Sequence, residues 1–145
     1  MSKTFSAYTP EHVAAYPPEY LAGIDLFNAR EFHAAHDAWE ERWMGPVGPA
    51  EKLFLQAMIQ SAVAFYHLEI GRRGASRRLY LRAKEKFARL PSSCFMSLDL
   101  TAYQAELDRA LSWLNSVPDP REIEPPTEGV EPPVIRLLPE VMECD

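Results

Sequence analysis

The stretch Leu53-Phe54-Leu55-Gln56-Ala57-Met58-Ile59-Gln60-Ser61-Ala62-Val63-Ala64-Phe65-Tyr66-His67-Leu68 decides the fold. Its apolar residues fall nearly all the way round a 3.6-residue helix. A helix of that kind is central and buried by its neighbours. Gln56, Gln60, Ser61 and His67 interrupt it, so it is too polar to be a lipid-facing span. Gly48-Pro49 opens it, Glu51 suits the positive end of the helix dipole, and Gly71 ends it. One helix from Ala50 to about Ile70 is therefore expected.

Working outward, the same signals predict four more helices. One runs from Pro18 to about Phe27, with Leu21, Ile24 and Phe27 on one stripe. The next covers about Glu31–Met44 and stops at Gly45-Pro46, and another covers Ala75–Leu90 and stops at Pro91. The last starts near Asp99 or Thr101, both good N-caps, carries Leu100, Tyr103, Leu107, Leu111 and Leu114, and ends at Asn115. Short turns favour antiparallel neighbours. The first four helices read as two hairpins about 44 residues apart, a faint echo of tetratricopeptide-like repeats. No stretch alternates like a strand. The expected class is all-α: a compact bundle of about five helices, made of two antiparallel hairpins, a C-terminal helix and an extended tail. The expected organisation is an irregular arm over 1–17, the bundle over 18–116 and an acidic, proline-rich tail over 117–145.

The composition agrees with a single globular domain. Of 145 residues, 47% are apolar and 25% charged, and the net charge is −6. A protein basic over its whole surface is excluded. Seven of thirteen prolines follow Val117, which rules out a regular helix or central strand there. Val134-Ile135-Arg136-Leu137-Leu138 is apolar enough to dock on the body. The start of the chain lacks the apolar run of a secretory signal. Cys94 and Cys144 are far apart and form no metal-binding spacing, which points to a reducing compartment and no zinc ribbon. Cytoplasm is the expected location, and no membrane partner is implied.

The charge is unevenly distributed. Between Arg72 and Arg89 lie Arg72, Arg73, Arg77, Arg78, Arg82, Lys84, Lys86 and Arg89 against Glu85 alone, a local charge of +7. Residues 119–145 carry −6. The basic strip can be a solvated face, or a seat for an anionic small molecule or a nucleic-acid backbone. The acidic tail is a candidate cover for it.

Polar residues also fall where apolar ones are due. In Glu31–Trp43, His36 shares a stripe with Phe32, Trp39 and Trp43, and Glu40 lies one turn on at its edge, with His33 beside it. In the central helix Gln56, Gln60 and His67 share one side. A buried polar group without a partner costs about 1–3 kcal/mol, so His36 and Glu40 are expected to face Gln60 and His67. Such a cluster can be a structural network that fixes helix register. It can also hold a divalent metal through His36, Glu40 and His67, with His33 or Asp37 as further ligands. Without metal, His36 oriented by Glu40 is a candidate acid/base. Trp39, Trp43, Gln56, Gln60, Arg72, Arg73, Arg77 and Arg78 are the candidate ligand-binding residues.

The run from Phe27 to Trp43, with His36, Glu40 and Trp43, resembles the signature of the DUF309 family. So does a second block with Phe54, Gln56, Gln60, Ala62, Ala64, His67, Gly74, Ala75 and Leu79. The resemblance covers about residues 20–90. It implies a compact helical bundle, and it marks His36, Glu40, Trp43, Gln60 and His67 as distinctive positions. It implies no reaction. Ala57 and Ala29 stand where glycine is common in the family. Three readings result: a metal-assisted or hydrolytic centre at His36, Glu40 and His67; a helical module that binds an anionic partner through Arg72–Arg89; and a structural cluster in a self-associating protein.

Overall fold

Proline opens three of the helices. Its fixed φ and missing N–H suit the first helical turn, where that N–H has no partner in any case. The computed structural model describes residues 6–141, and in it α1 (Pro10–Ala15), α2 (Pro18–Asn28) and α4 (Pro49–Glu69) all begin at proline. They join α3 (Phe32–Trp43), α5 (Arg73–Ala88) and α6 (Leu100–Leu111) in an all-α bundle. Helix α4 packs between α3 and α5, as its apolar circumference requires.

The two hairpins turn through the same device. After α2, the Arg30 and Glu31 amides donate back to Phe27 and Leu26. After α4, Gly71 and Arg72 donate back to Leu68 and His67. The residue at this corner adopts a left-handed conformation, φ 68° at Arg30 and 79° at Gly71. An arginine in that conformation needs compensation, and Arg30 has it: its guanidinium donates to the carbonyls of Pro132 and Pro133 at 2.8 and 2.9 Å.

The core lies between the hairpins and α6. Tyr20, Ile24, Phe27, Trp39, Phe54, Met58, Ala64, Ala83, Leu107 and Leu111 are all buried within it. Helices α2 and α3 come into contact at Gly23. Its missing Cβ makes room for the Trp39 indole, whose Nε1 donates to the Tyr20 carbonyl at 3.0 Å. On the other side Ser76 Oγ donates to the Ala64 carbonyl at 2.7 Å, tying α5 to α4 where both present small residues.

Four features depart from expectation. The arm over 1–17 contains α1, held by a capping box in which the Thr9 side chain accepts from the His12 amide and His12 Nδ1 accepts from the Thr9 amide. Helix α5 begins two residues before Ala75, at Arg73. A two-residue antiparallel ladder pairs β1 (Cys94–Phe95) with β2 (Leu98–Asp99), ahead of α6 with its Asp99 N-cap. Cys94 is disulfide-bonded, so the spacing argument for a reducing compartment loses its basis. Among the described residues, no helix is long and apolar enough to cross a membrane.

The proline-rich segment docks on the body, with Ile135 and Leu137 buried. Asn28 pairs with Ile135 as a strand would, accepting from its N–H at 2.7 Å and donating to its carbonyl at 2.8 Å. Arginines satisfy other carbonyls that have no strand partner. Arg109 donates to Gly129 and Glu131, Arg77 to Val117 and Pro118, and Arg73 to Ile123. The tail therefore meets α5 through backbone oxygens. The tail thus does lie over the start of the basic strip, with no ion pair between its carboxylates and the strip among the described residues.

Candidate functional site

Helix α3 begins without a side-chain cap, at Glu31, and exposes its first two turns on one flank. That flank carries His33, His36, Asp37 and Glu40, three and four residues apart, so their side chains meet above one face of the helix. His36 Nε2 lies 2.6 Å from Glu40 Oε2. On the opposite edge of the same ring, Nδ1 lies 3.1 Å from Asp37 Oδ1. That contact is electrostatic, because the carboxylate is out of line with a ring N–H; His36 Nδ1 is buried and has no hydrogen-bond partner. His33 Nδ1 lies 3.4 Å from Asp37 Oδ2. His36 is 23% exposed, whereas His33 and Asp37 are 61% and 64% exposed. The group thus has one sheltered member, His36, and three that solvent reaches.

His36 and Glu40 do come together, as expected, but within α3 alone. His67 is not in the group. A row of rings runs from His36 to His33 (5.5 Å between centroids), on to Tyr66 (5.2 Å) and then to His67 (5.8 Å). Tyr66, which the periodicity did not single out, therefore separates His67 from the α3 group. His67 belongs instead to the α4–α5 side. Burial, then Arg72 and Arg78, hold its pKa below the usual histidine value. Its Nδ1 is buried without a partner, and so is Gln60 Oε1. The expected network of His36, Glu40, Gln60 and His67 is not formed.

The remaining candidates divide the same way. Trp39 is fully buried and serves the α2–α3 contact, so no ligand reaches it. Trp43 is half-buried, with Lys52 Nζ 4.7 Å from its ring centroid. Trp43, Lys52, Gln56 and Arg89 line an open cleft of about 430 Å³ between the ends of α3, α4 and α5. Arg73 and Arg77 are occupied by tail carbonyls and are removed from the candidate anion site. Arg72 and Arg78 are exposed, and their side chains make no hydrogen bond or ion pair among the described residues.

Helix hairpins around one central helix, with a His/carboxylate group on one flank and a row of cations on the other, define a small all-α protein. Within it, residues 20–79 match the model of a family described as a domain of unknown function, DUF309. This stretch, which runs from α2 into α5 and contains His33, His36 and His67, is similar to that family. The match ends inside α5, short of the remaining cations and the tail. No curated protein matches the chain.

Proposed function

We propose that the protein binds a divalent transition metal on α3 through His33, His36 and Asp37, with Glu40 positioning His36. The observation that carries this is the reach of Asp37 to both imidazoles, at 3.1 and 3.4 Å from their Nδ1 atoms. Ligands about 2.0–2.1 Å from a tetrahedral ion stand about 3.4 Å from one another. One nitrogen from each histidine and one Asp37 oxygen all lie within 4.8 Å of one another. Glu40 takes Nε2, which leaves Nδ1 as the ligand atom, the usual part of a carboxylate behind a metal-binding histidine.

Two imidazoles and a carboxylate suit zinc, cobalt or nickel better than magnesium or calcium. Three ligands leave a position open for water, and an ion there would make that water a better nucleophile, so metal-assisted hydrolysis is the chemistry this set would serve. The test is Co²⁺ titration of metal-free protein, followed by visible absorption. The reading predicts a saturable spectrum at one ion per chain, abolished by His36→Ala or Asp37→Asn. Glu40→Gln should weaken affinity by about 10–100-fold without abolishing the spectrum. A His67→Ala variant should titrate like the parent. No saturable spectrum, or one that survives loss of both His33 and His36, would refute the reading and leave the cluster a helix-surface network.

A further inference from the structure

A second, independent feature lies on the other flank of α4. Of the eight cations between Arg72 and Arg89, three are engaged: Arg73 and Arg77 by tail carbonyls and Lys84 by Asp108. The side chains of the other five, Arg72, Arg78, Arg82, Lys86 and Arg89, make no hydrogen bond or ion pair among the described residues, and neither does that of Glu85. Arg78, Arg82, Lys86 and Arg89 follow one another at four, four and three residues, which puts them on one stripe of α5. Their spacing is about 6 Å per step, and the stripe runs about 17 Å from Arg78 to Arg89.

The adjoining wall of α4 is polar. At one end of the seam Gln56 shares a cleft with Arg89 and Trp43. At the other end His67 senses Arg72 and Arg78. Gln60 lies between them, one turn from Gln56 and two from His67. Gln60 Oε1 and His67 Nδ1 are buried with no partner. Folded proteins leave few such atoms, so a ligand that supplies donors there is favoured.

We propose that the α4–α5 seam binds single-stranded nucleic acid. The stripe supplies one row of cations at a step suited to successive phosphates, whereas a duplex would present two rows across a groove. Gln56 and Trp43, which line the open cleft, would meet a base directly, and rotation of the Gln60 and His67 side chains would turn their unpartnered atoms toward base edges. An acidic peptide matches the cations as well, but its carboxylates only accept, so donors for Gln60 Oε1 or an unprotonated His67 Nδ1 would have to come from its backbone, whereas bases carry donors on their edges. The net charge of −6 confines binding to this seam and makes it steeply dependent on salt.

The test is fluorescence anisotropy of a short labelled RNA and its DNA counterpart of mixed sequence, titrated with the full chain. With four phosphates engaged, log K should fall against log salt with a slope of about −3, or about 50-fold between about 50 and about 200 mM. The exposed triple variant Arg78→Gln/Arg82→Gln/Arg89→Gln should keep the parental urea midpoint and bring the slope to about −1. Gln60→Leu should weaken binding several-fold and leave the slope unchanged. No binding at about 50 mM salt, a triple variant that binds like the parent, or tighter binding of a duplex or of polyglutamate would each overturn the proposal.

Discussion

Replacing Gly23 by alanine should strike the contact that fixes α3, and hence the proposed metal ligands, against the bundle. A Cβ at Gly23 would overlap Nε1, Cδ1 and Cε2 of Trp39, far inside the ~3.5 Å of ordinary contact. The indole has little room to yield. It is fully buried, its ring centroid is 6.0 Å from that of Phe27, and its N–H is held by the Tyr20 carbonyl. Overpacking of this kind costs about 1–3 kcal/mol, and a displaced indole N–H forfeits about 1–2 kcal/mol more. Alanine returns about 1 kcal/mol through its higher helix propensity. The net expectation is a loss of about 3 kcal/mol, which for a domain of this size is a drop of about 6–12 °C in Tm. Urea denaturation followed by tryptophan fluorescence reads it, and Trp39→Leu supplies the control: in that background the same substitution should cost much less. A Gly23→Ala protein with an unchanged or raised midpoint would refute the packing described for α2 and α3.

Other substitutions test the tail and the seam. Asn28→Ala removes two hydrogen bonds to Ile135 and should cost about 1–3 kcal/mol, with faster hydrogen exchange at the Ile135 amide; parental exchange there would show that the tail is held by other contacts. His67 should titrate below the ordinary histidine value of about 6.5, chiefly through burial. Because its folded pKa is lowered, the associated stability is complete above that value and is lost as pH falls through it toward the folded midpoint. Arg78→Gln should raise the midpoint only part of the way, since burial is the larger cause, and an NMR titration showing no rise would remove Arg78 from the seam.

The parts of the fold that were legible follow from single-helix physics. The apolar circumference of α4 puts it in the centre, and Pro18, Pro49, Gly71 and Asp99 mark helix ends by conformational preferences that hold in any fold. The six-residue α1 shows no periodicity, and only Thr9 announces it. The β1–β2 turn was hidden for a similar reason: Met96 and Ser97 adopt positive φ, 43° and 63°, without a glycine or asparagine to signal it. The His36–Glu40 contact was legible because four residues is one helical turn. The partner of His67 was not, since periodicity gives the angle between Gln60 and His67 on α4 but not which neighbour lies on that side. The α5 helix does, and Tyr66 fills the direction that would have led to His36. Within the basic strip, sequence could not separate the arginines that satisfy tail carbonyls from those left free, because that division depends on where residues 117–123 run.

The central claim concerns which histidines hold the metal, and the chain has only four: His12, His33, His36 and His67. Long-range ¹H–¹⁵N NMR of the imidazoles, recorded as Zn²⁺ is added, addresses each ring nitrogen separately. The account predicts that the Nδ1 resonances of His33 and His36 move to metal-bound positions at one equivalent, while His12 and His67 keep theirs. Zinc-dependent movement of His67 together with His36, or no movement at His33 and His36, would contradict it.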